Sequence, residues 1–353
     1  MKVMIGLACE KFRSFKLVGA WCAVALLGIA MLAACAGNKN HVATSATVNA
    51  TDNGQLIFQT GFEGSSKVVT NIKTIPSFIT PHYAIDDIVG KDTTLAEKSD
   101  WVKDLDNNPD AGQFLIEYTG GDPTKRNVKI IPEPGNPNNQ VLAFWLNDSW
   151  EASEHQVKAR IQTDIYNIKH GYKEFYHSVR VFLPNDFNAL RKYPDTIKWL
   201  TIAEYWNNGW WHENEKYGFR VTLGIGKPTA ATSDLNFILN AEDSVHREVW
   251  KGHNTNVKVP VGKWFTMDCY YKEGDKQTGR YYMAITPDGG AKKVVFDVTG
   301  YTQNPKDPNP DGVTEFSPMK LYTSKELVAF MKGQGKTLQV YWDDFKLWKG
   351  KKP

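Results

Sequence analysis

Two stretches of the sequence gather side chains that could do chemistry together. In His155 to Ile165, the residues Lys158, Arg160, Gln162 and Asp164 alternate with Val157, Ala159 and Ile161. A period of two puts the charged and amide groups on one surface of a strand and the apolar groups on the other. That surface would offer cations and amide donors to an anionic polymer, or it is an ordinary solvated sheet face. The second stretch, Glu204-Tyr205-Trp206-Asn207-Asn208-Gly209-Trp210-Trp211-His212-Glu213, is the densest aromatic group in the chain. Indole faces stack on the C–H faces of sugar rings, and neighbouring Asn, Glu and His can bond hydroxyls. Tyr205, Trp206, Trp210, Trp211 and His212 are therefore candidate carbohydrate contacts; alternatively Trp199 and Trp206 belong to a core and only Trp210 and Trp211 face solvent.

Other chemistries are less well supplied. Glycoside hydrolysis needs two carboxylates about 5–9.5 Å apart. Glu204, Glu213 and Glu215 could contribute, but the Glu-x-Asp-x-x-Glu strand of laminarinase-like jelly rolls is missing, and Glu273-Gly274-Asp275 reads as a turn. His212-Glu213-Asn214-Glu215-Lys216 fails the zinc-protease pattern because Lys216 replaces the second His. Gly224-Ile225-Gly226 is too short for a phosphate loop. Glu63 and Asp343 or Asp344 could meet if the terminal strands pair, giving oxygen ligands that suit a structural Ca²⁺, or they are surface acids on edge strands. No cofactor is required.

The elements that must position these residues are strands. From Gln55 onward, short runs rich in β-branched and aromatic residues are separated by Gly, Pro, Asn and Asp clusters, giving a dozen candidate strands between Gln55 and Leu347. With almost no helix between them, they predict an all-β antiparallel sandwich and exclude a βαβ sheet. One short helix near the C-terminus is predicted, with Ser324 as its cap, Leu327, Phe330 and Met331 on one face, and Gly333 at its end. Asp86 to Asp110 has no clear period and is expected to be a long loop or insertion. Cys269 shares a face with Phe265, Met267 and Tyr271 and reads as a buried thiol.

These residues resemble those of jelly-roll polysaccharide lyases with the concanavalin A-like fold, the group of alginate lyases and heparin lyase I-like proteins. The likeness lies in Arg160-Ile161-Gln162, in Glu204-Tyr205-Trp206, in Met319-Lys320-Leu321-Tyr322, and in the chain ends Thr60-Gly61-Phe62-Glu63-Gly64 and Val340-Tyr341-Trp342-Asp343-Asp344-Phe345. It implies removal of the C5 proton of a uronic acid, with Arg160 and Gln162 neutralising the adjacent carboxylate as charge moves onto it. Tyr322 would serve as base or acid, and Lys320 would hold the polymer. Glu204 and Trp206 stand where the family has Gln and its catalytic His. His177 and His212 are the nearest substitutes, although His177 shares a face with Phe175 and Val179 and also fits a packed structural histidine. Without a base, the same sheet would serve a non-catalytic glycan-binding protein; a glycoside hydrolase is the third reading.

The chain has 353 residues, 42 Lys plus Arg and 39 Asp plus Glu. Residues 1–34 hold Lys2, Lys11, Arg13 and Lys16 against Glu10, so without them 38 bases face 38 acids. The remaining chain is formally neutral, which excludes the basic footprint of a nucleic-acid binder. A basic start, the uncharged run Leu17 to Ala34, and Leu32-Ala33-Ala34-Cys35 resemble a bacterial lipoprotein signal whose Cys35 is acylated. The expectation is a signal over 1–34, a lipidated Cys35 with a polar tether to residue 53, and one domain over 54–353. It would be a monomeric outer-membrane lipoprotein with a polysaccharide partner. Cys269 would be the sole thiol of that domain, so a packed core must supply its stability.

Overall fold

A computed structural model describes residues 54–70, 83–92, 99–101, 105, 111–119, 124–148, 150–151, 157–207, 216–254 and 256–353. Residues 50–353 form one compact unit. Its first strands are β1 (Gln55–Thr60), β2 (Lys67–Thr70), β3 (Tyr83–Val89), β4 (Lys91–Asp92), β5 (Ser99–Asp100), β6 (Gln113–Thr119) and β7 (Arg126–Glu133). There follow β8 (Asn136–Leu146), β9 (Trp150–Glu151), β10 (Val157–Tyr166), β11 (Glu174–Phe182), β12 (Leu200–Asn207), β13 (Phe219–Gly226) and β14 (Asn236–Asp243). The last are β15 (Glu248–Gly252), β16 (Trp264–Lys272), β17 (Arg280–Pro287), β18 (Lys293–Thr299), β19 (Val313–Ser324) and β20 (Leu338–Lys349).

They build two antiparallel sheets. One runs β18-β17-β16-β11-β20-β8-β7, with β1 also on β20; the other runs β15-β14-β13-β12-β19-β10-β6-β3-β2, with β9 on β10. Side chains from both, such as Phe175, Val179 and Met267 on one side and Ile161, Tyr205, Phe316 and Leu321 on the other, share a single apolar core. The result is an antiparallel β-sandwich of the jelly-roll class. Period-two alternation dictates this packing: Ala159, Ile161 and Ile165 of β10 point inward, so Arg160, Gln162 and Asp164 point out.

The helix α1 (Lys325–Gly333) follows β19 directly, burying Leu327, Val328 and Met331. Ser324 occupies the cap position with extended backbone, but its side chain makes no capping bond. Chain reversal comes instead at Gly335, whose φ of +65° suits glycine.

One expectation changes. The segment from Asp86 is not simply loop: it completes β3 and pairs β4 with β5, and Trp101 is buried against Phe58, Phe62 and Phe114 at ring separations of 5.0, 5.6 and 4.9 Å. β19 is a strand of 12 residues that crosses the centre of its sheet despite Pro318. Proline lacks a ladder donor, and the strand accommodates it with register shifts against both β10 and β12. The shift changes the facing parity, so Glu315 and Ser317 before the proline share the outer surface with Lys320 and Tyr322 after it.

Candidate functional site

The outer face of the larger sheet carries the polar set. Across β10 and β19, Arg160 lies opposite Tyr322 and Gln162 opposite Lys320. On the next strand Glu204 is opposite Ser317 and Trp206 opposite Glu315. β13 then places Thr222 beside Glu204 and Arg220 beside Trp206, and β14 places Glu242 beside Arg220. On the other flank β6 sets Glu117 opposite Gln162. Gly224 lets β13 close on β12 here, because a side chain would meet Leu200 O at 2.8 Å.

The charges are knitted together. Arg160 donates to Glu117 Oε1 at 2.7 Å, and its guanidinium lies 4.8 Å from the Tyr322 ring. Lys320 donates to Glu204 Oε2 and sits 4.8 Å from the Trp206 ring and 5.1 Å from the Tyr322 ring. Arg220 bridges Glu204 at 3.0 Å and Glu242 at 2.7 Å, and its Nη2 is 3.2 Å from His246 Nδ1. Gln162 Nε2 reaches both oxygens of Asp164, at 3.0 and 2.8 Å, and Ser317 donates to Asp164 as well.

Burial and these partners set the protonation states. Glu204 is fully buried, which alone would raise its pKa, but Lys320 and Arg220 hold it below the ordinary carboxylate range. Asp164 is pushed up to about 7 by burial and the Glu117 charge, against the pull of Lys320. Burial, then Asp164 and Glu117, drive Glu315 well above the carboxylate range. Burial lowers Lys320, with Glu204 opposing. Gln162 Oε1, Trp206 Nε1 and Glu315 Oε2 are buried on this face without a hydrogen-bond partner among the described residues.

Arg160, Gln162, Glu204, Trp206, Lys320 and Tyr322 are thus brought together. Lys158 takes its place on β10 opposite Ser324, with its side chain outside the described residues. Trp210, Trp211, His212 and Cys35 also lie outside them. Tyr205 and His177 are corrected: both point into the core between the sheets. Strand alternation sends Tyr205 to the opposite face from Glu204 and Trp206, and its hydroxyl bonds His177 Nε2 at 2.7 Å. Burial pushes His177 down to about 3, so it is a neutral core imidazole. Cys269 is buried beside them and pushed up to about 12 by desolvation.

The Ca²⁺ expectation does not fit the residues present. Glu63 accepts the Gln140 N–H at 2.7 Å, and Asp343 takes Arg180 at 3.2 Å and Asn139 at 2.9 Å. Arg180 is shared among Asp343, Glu133 and Asp288. Asp344 adopts a φ of +48°. Among the described residues no group of three or more acidic, His or Cys side chains could hold a metal ion.

Sequence reasoning missed Arg220, Glu242, His246, Glu117 and Glu315. Arg220 and Thr222 were readable from their alternation with Phe219, Val221, Leu223 and Ile225.

No protein-family model matches the sequence, and no curated protein does. The chain is similar in structure to a PL-14 alginate lyase from Aplysia kurodai, at 9% identity and TM-score 0.42, over 63% of this chain and 87% of that one. A similar match is an endo-β-1,4-glucuronan lyase from Trichoderma reesei, at 14% and 0.35, over 64% and 87%. An alginate lyase from Chlorella virus aligns at 11% and 0.37, over 64% and 89%. At such identities and TM-scores these likenesses carry no argument about residues or substrate.

Proposed function

We propose that the domain is a polysaccharide lyase that cleaves a uronic-acid glycan by β-elimination, carried on a bacterial outer membrane by a lipid on Cys35. The observation that carries the reading is the convergence of Arg160, Gln162, Lys320 and Tyr322 on one sheet face, with the cations flanking the phenol ring. Removal of a C5 proton builds negative charge on the adjacent carboxylate, and fixed cationic or amide donors there lower the barrier. Arg160 and Gln162 occupy that role. Tyr322 takes the C5 proton. Lys320, locked by Glu204 and set over the Trp206 ring, fixes local field and geometry.

A second reading has its own support. Each of Arg160, Lys320 and Arg220 already holds a carboxylate of the protein, an arrangement that also suits a glycan-binding sheet without turnover. The experiment that separates them incubates the full chain with alginate, glucuronan and heparin-like polymers and follows unsaturated-uronate absorbance. Rising absorbance with one of them is expected. Binding without absorbance on any polymer would make the protein a binder.

A further inference from the structure

The outer face of the smaller sheet, on the far side of the sandwich from the candidate site, carries an arrangement of its own. Leu56 of β1, Trp348 of β20, Tyr176 of β11, Tyr270 of β16 and Tyr282 of β17 stand opposite one another in a row across five strands. The tyrosines and Trp348 pack together apart from the core between the sheets. Beside this row Val294 of β18 lies opposite Ala284. Leu56, Val245 and Val294 are the exposed large hydrophobic residues among those described, and two of them flank the row. Five strand spacings of about 4.8 Å separate β1 from β18, so they stand about 24 Å apart.

Lysines gather over the row. Lys351 Nζ is 3.6 Å from the Trp348 ring and 4.3 Å from the Tyr176 ring, and Lys292 Nζ is 3.5 Å from Tyr176 Oη. Lys346 stands on the same face opposite Ser178. The acids at this end are matched: Asp268 with Lys292 at 3.1 Å, Asp297 with Arg280 at 2.8 Å, and Glu174 with Lys352 at 3.9 Å. Lys346 and Lys351 have no carboxylate within ion-pair distance among the described residues, which leaves this end positive. The acids shared by Arg180 lie further along β11, at the other end of the face. The positive end is also where the chain arrives. Gly54 lies so close to the last residues that a Cβ there would meet Lys351 N at 2.4 Å. Residues 36–53 join it to Cys35, a reach of at most about 65 Å.

We propose that this face docks on an anionic phospholipid surface, a role that rests on the proposed lipid on Cys35. Each component has a place there: lysines are drawn by the surface potential, an indole settles at the level of the head groups, and exposed aliphatic side chains leave water. A sugar platform fits less well, because Tyr176, Tyr270 and Tyr282 are only 2, 3 and 7% exposed and Lys351 already covers Trp348. Docking turns the outer face of the larger sheet, with Arg160, Gln162 and Tyr322, away from the lipid and toward polymer in solution.

The test places the lipidated protein on vesicles of phosphatidylcholine with and without phosphatidylglycerol. One fluorophore is attached through Val294→Cys, Leu56→Cys or Val245→Cys, the last exposed between β14 and β15 of the larger sheet; Cys269 is buried and takes no label. Nitroxide-bearing lipids should quench the labels at Val294 and Leu56 only when phosphatidylglycerol is present, and leave the label at Val245 bright. Lys346→Gln/Lys351→Gln should lower the ratio of docked to undocked protein about 30-fold, the attraction of two lysines to an anionic surface. Equal quenching at Val245, quenching indifferent to phosphatidylglycerol, or none at Val294 and Leu56 overturns the docking face. A label at Val294 that answers to soluble alginate and not to vesicles makes this a glycan platform, which overturns it too. Mass spectrometry reads the acyl group on Cys35 separately. Without that group the anchor reading falls, and the same quenching pattern in the full chain carrying Cys9→Ser, Cys22→Ser and Cys35→Ser still upholds the face.

Discussion

Replacing Glu204 with Leu isolates what holds the centre of the face together. The side chain of Lys320 is 1% exposed and that of Glu204 2%, so the substitution leaves an ammonium buried without the carboxylate it donates to. Removing one partner of a buried pair costs about 3–5 kcal/mol. An independent bound comes from titration. A lysine of ordinary pKa 10.5 escapes its buried charge at pH 7 by releasing a proton, at about 1.4 kcal/mol per pH unit, or roughly 5 kcal/mol in all. The two figures agree, and the second carries a sign. A lysine whose folded pKa is depressed binds fewer protons folded than unfolded, so its destabilisation lessens as pH rises toward the unfolded value. Between pH 7 and 9 the deficit of Glu204→Leu should therefore shrink by up to about 2.7 kcal/mol. The double variant Glu204→Leu/Lys320→Met removes both charges at similar volume and should return to within about 1–2 kcal/mol of wild type. Arg220 retains Glu242 throughout. Equilibrium urea denaturation followed by tryptophan fluorescence reads all three. A loss below about 1 kcal/mol, a deficit independent of pH, or a double variant as destabilised as Glu204→Leu alone would refute the buried pair.

Other perturbations follow from the same geometry. Tyr322→Phe should lower kcat by about 10²–10⁴-fold with KM and thermal unfolding little changed; retained turnover would remove Tyr322 from the chemistry. Arg160→Gln, made together with Glu117→Gln so that no buried carboxylate is stranded, should weaken binding of a uronate polymer and flatten its salt dependence. Exposed Lys306→Gln is the control, and equal effects would count against the face. His177, lowered from 6.5 to about 3, binds a proton unfolded before it does so folded. It costs stability as pH falls from about 6.5 toward 3, with a slope of at most about 1.4 kcal/mol per unit. His177→Gln should flatten that acid limb in urea titrations from pH 7 to 4, and an unchanged slope would show the imidazole titrating normally.

Much of this face was legible because a strand exposes every second residue. Arg160 and Gln162 needed only the apolar alternation of their own strand. The same rule, applied to Glu204-Tyr205-Trp206, separates Tyr205 from its neighbours, and grouping the three as one aromatic cluster lost it. Period two thus outranks composition when residues are assigned to a surface. β19 was harder, because a proline in mid-run argues against a central strand, and the compensating register shifts are a property of β10 and β12. The shifted parity put Glu315 out of reach of any pattern confined to its own segment.

What could not be read locally is the division of labour among the carboxyls. Glu204 and Glu315 have the same side chain, lie on adjacent strands and are both buried, yet one is held ionised and the other neutral. The difference is which of them Lys320 and Arg220 reach, and that is set by strand order, β10-β19-β12-β13, joining residues far apart in the chain, 153 positions in the bond from Ser317 to Asp164. A charge census of the segment assigns both acids the same state. Only the pairing of strands breaks that equivalence.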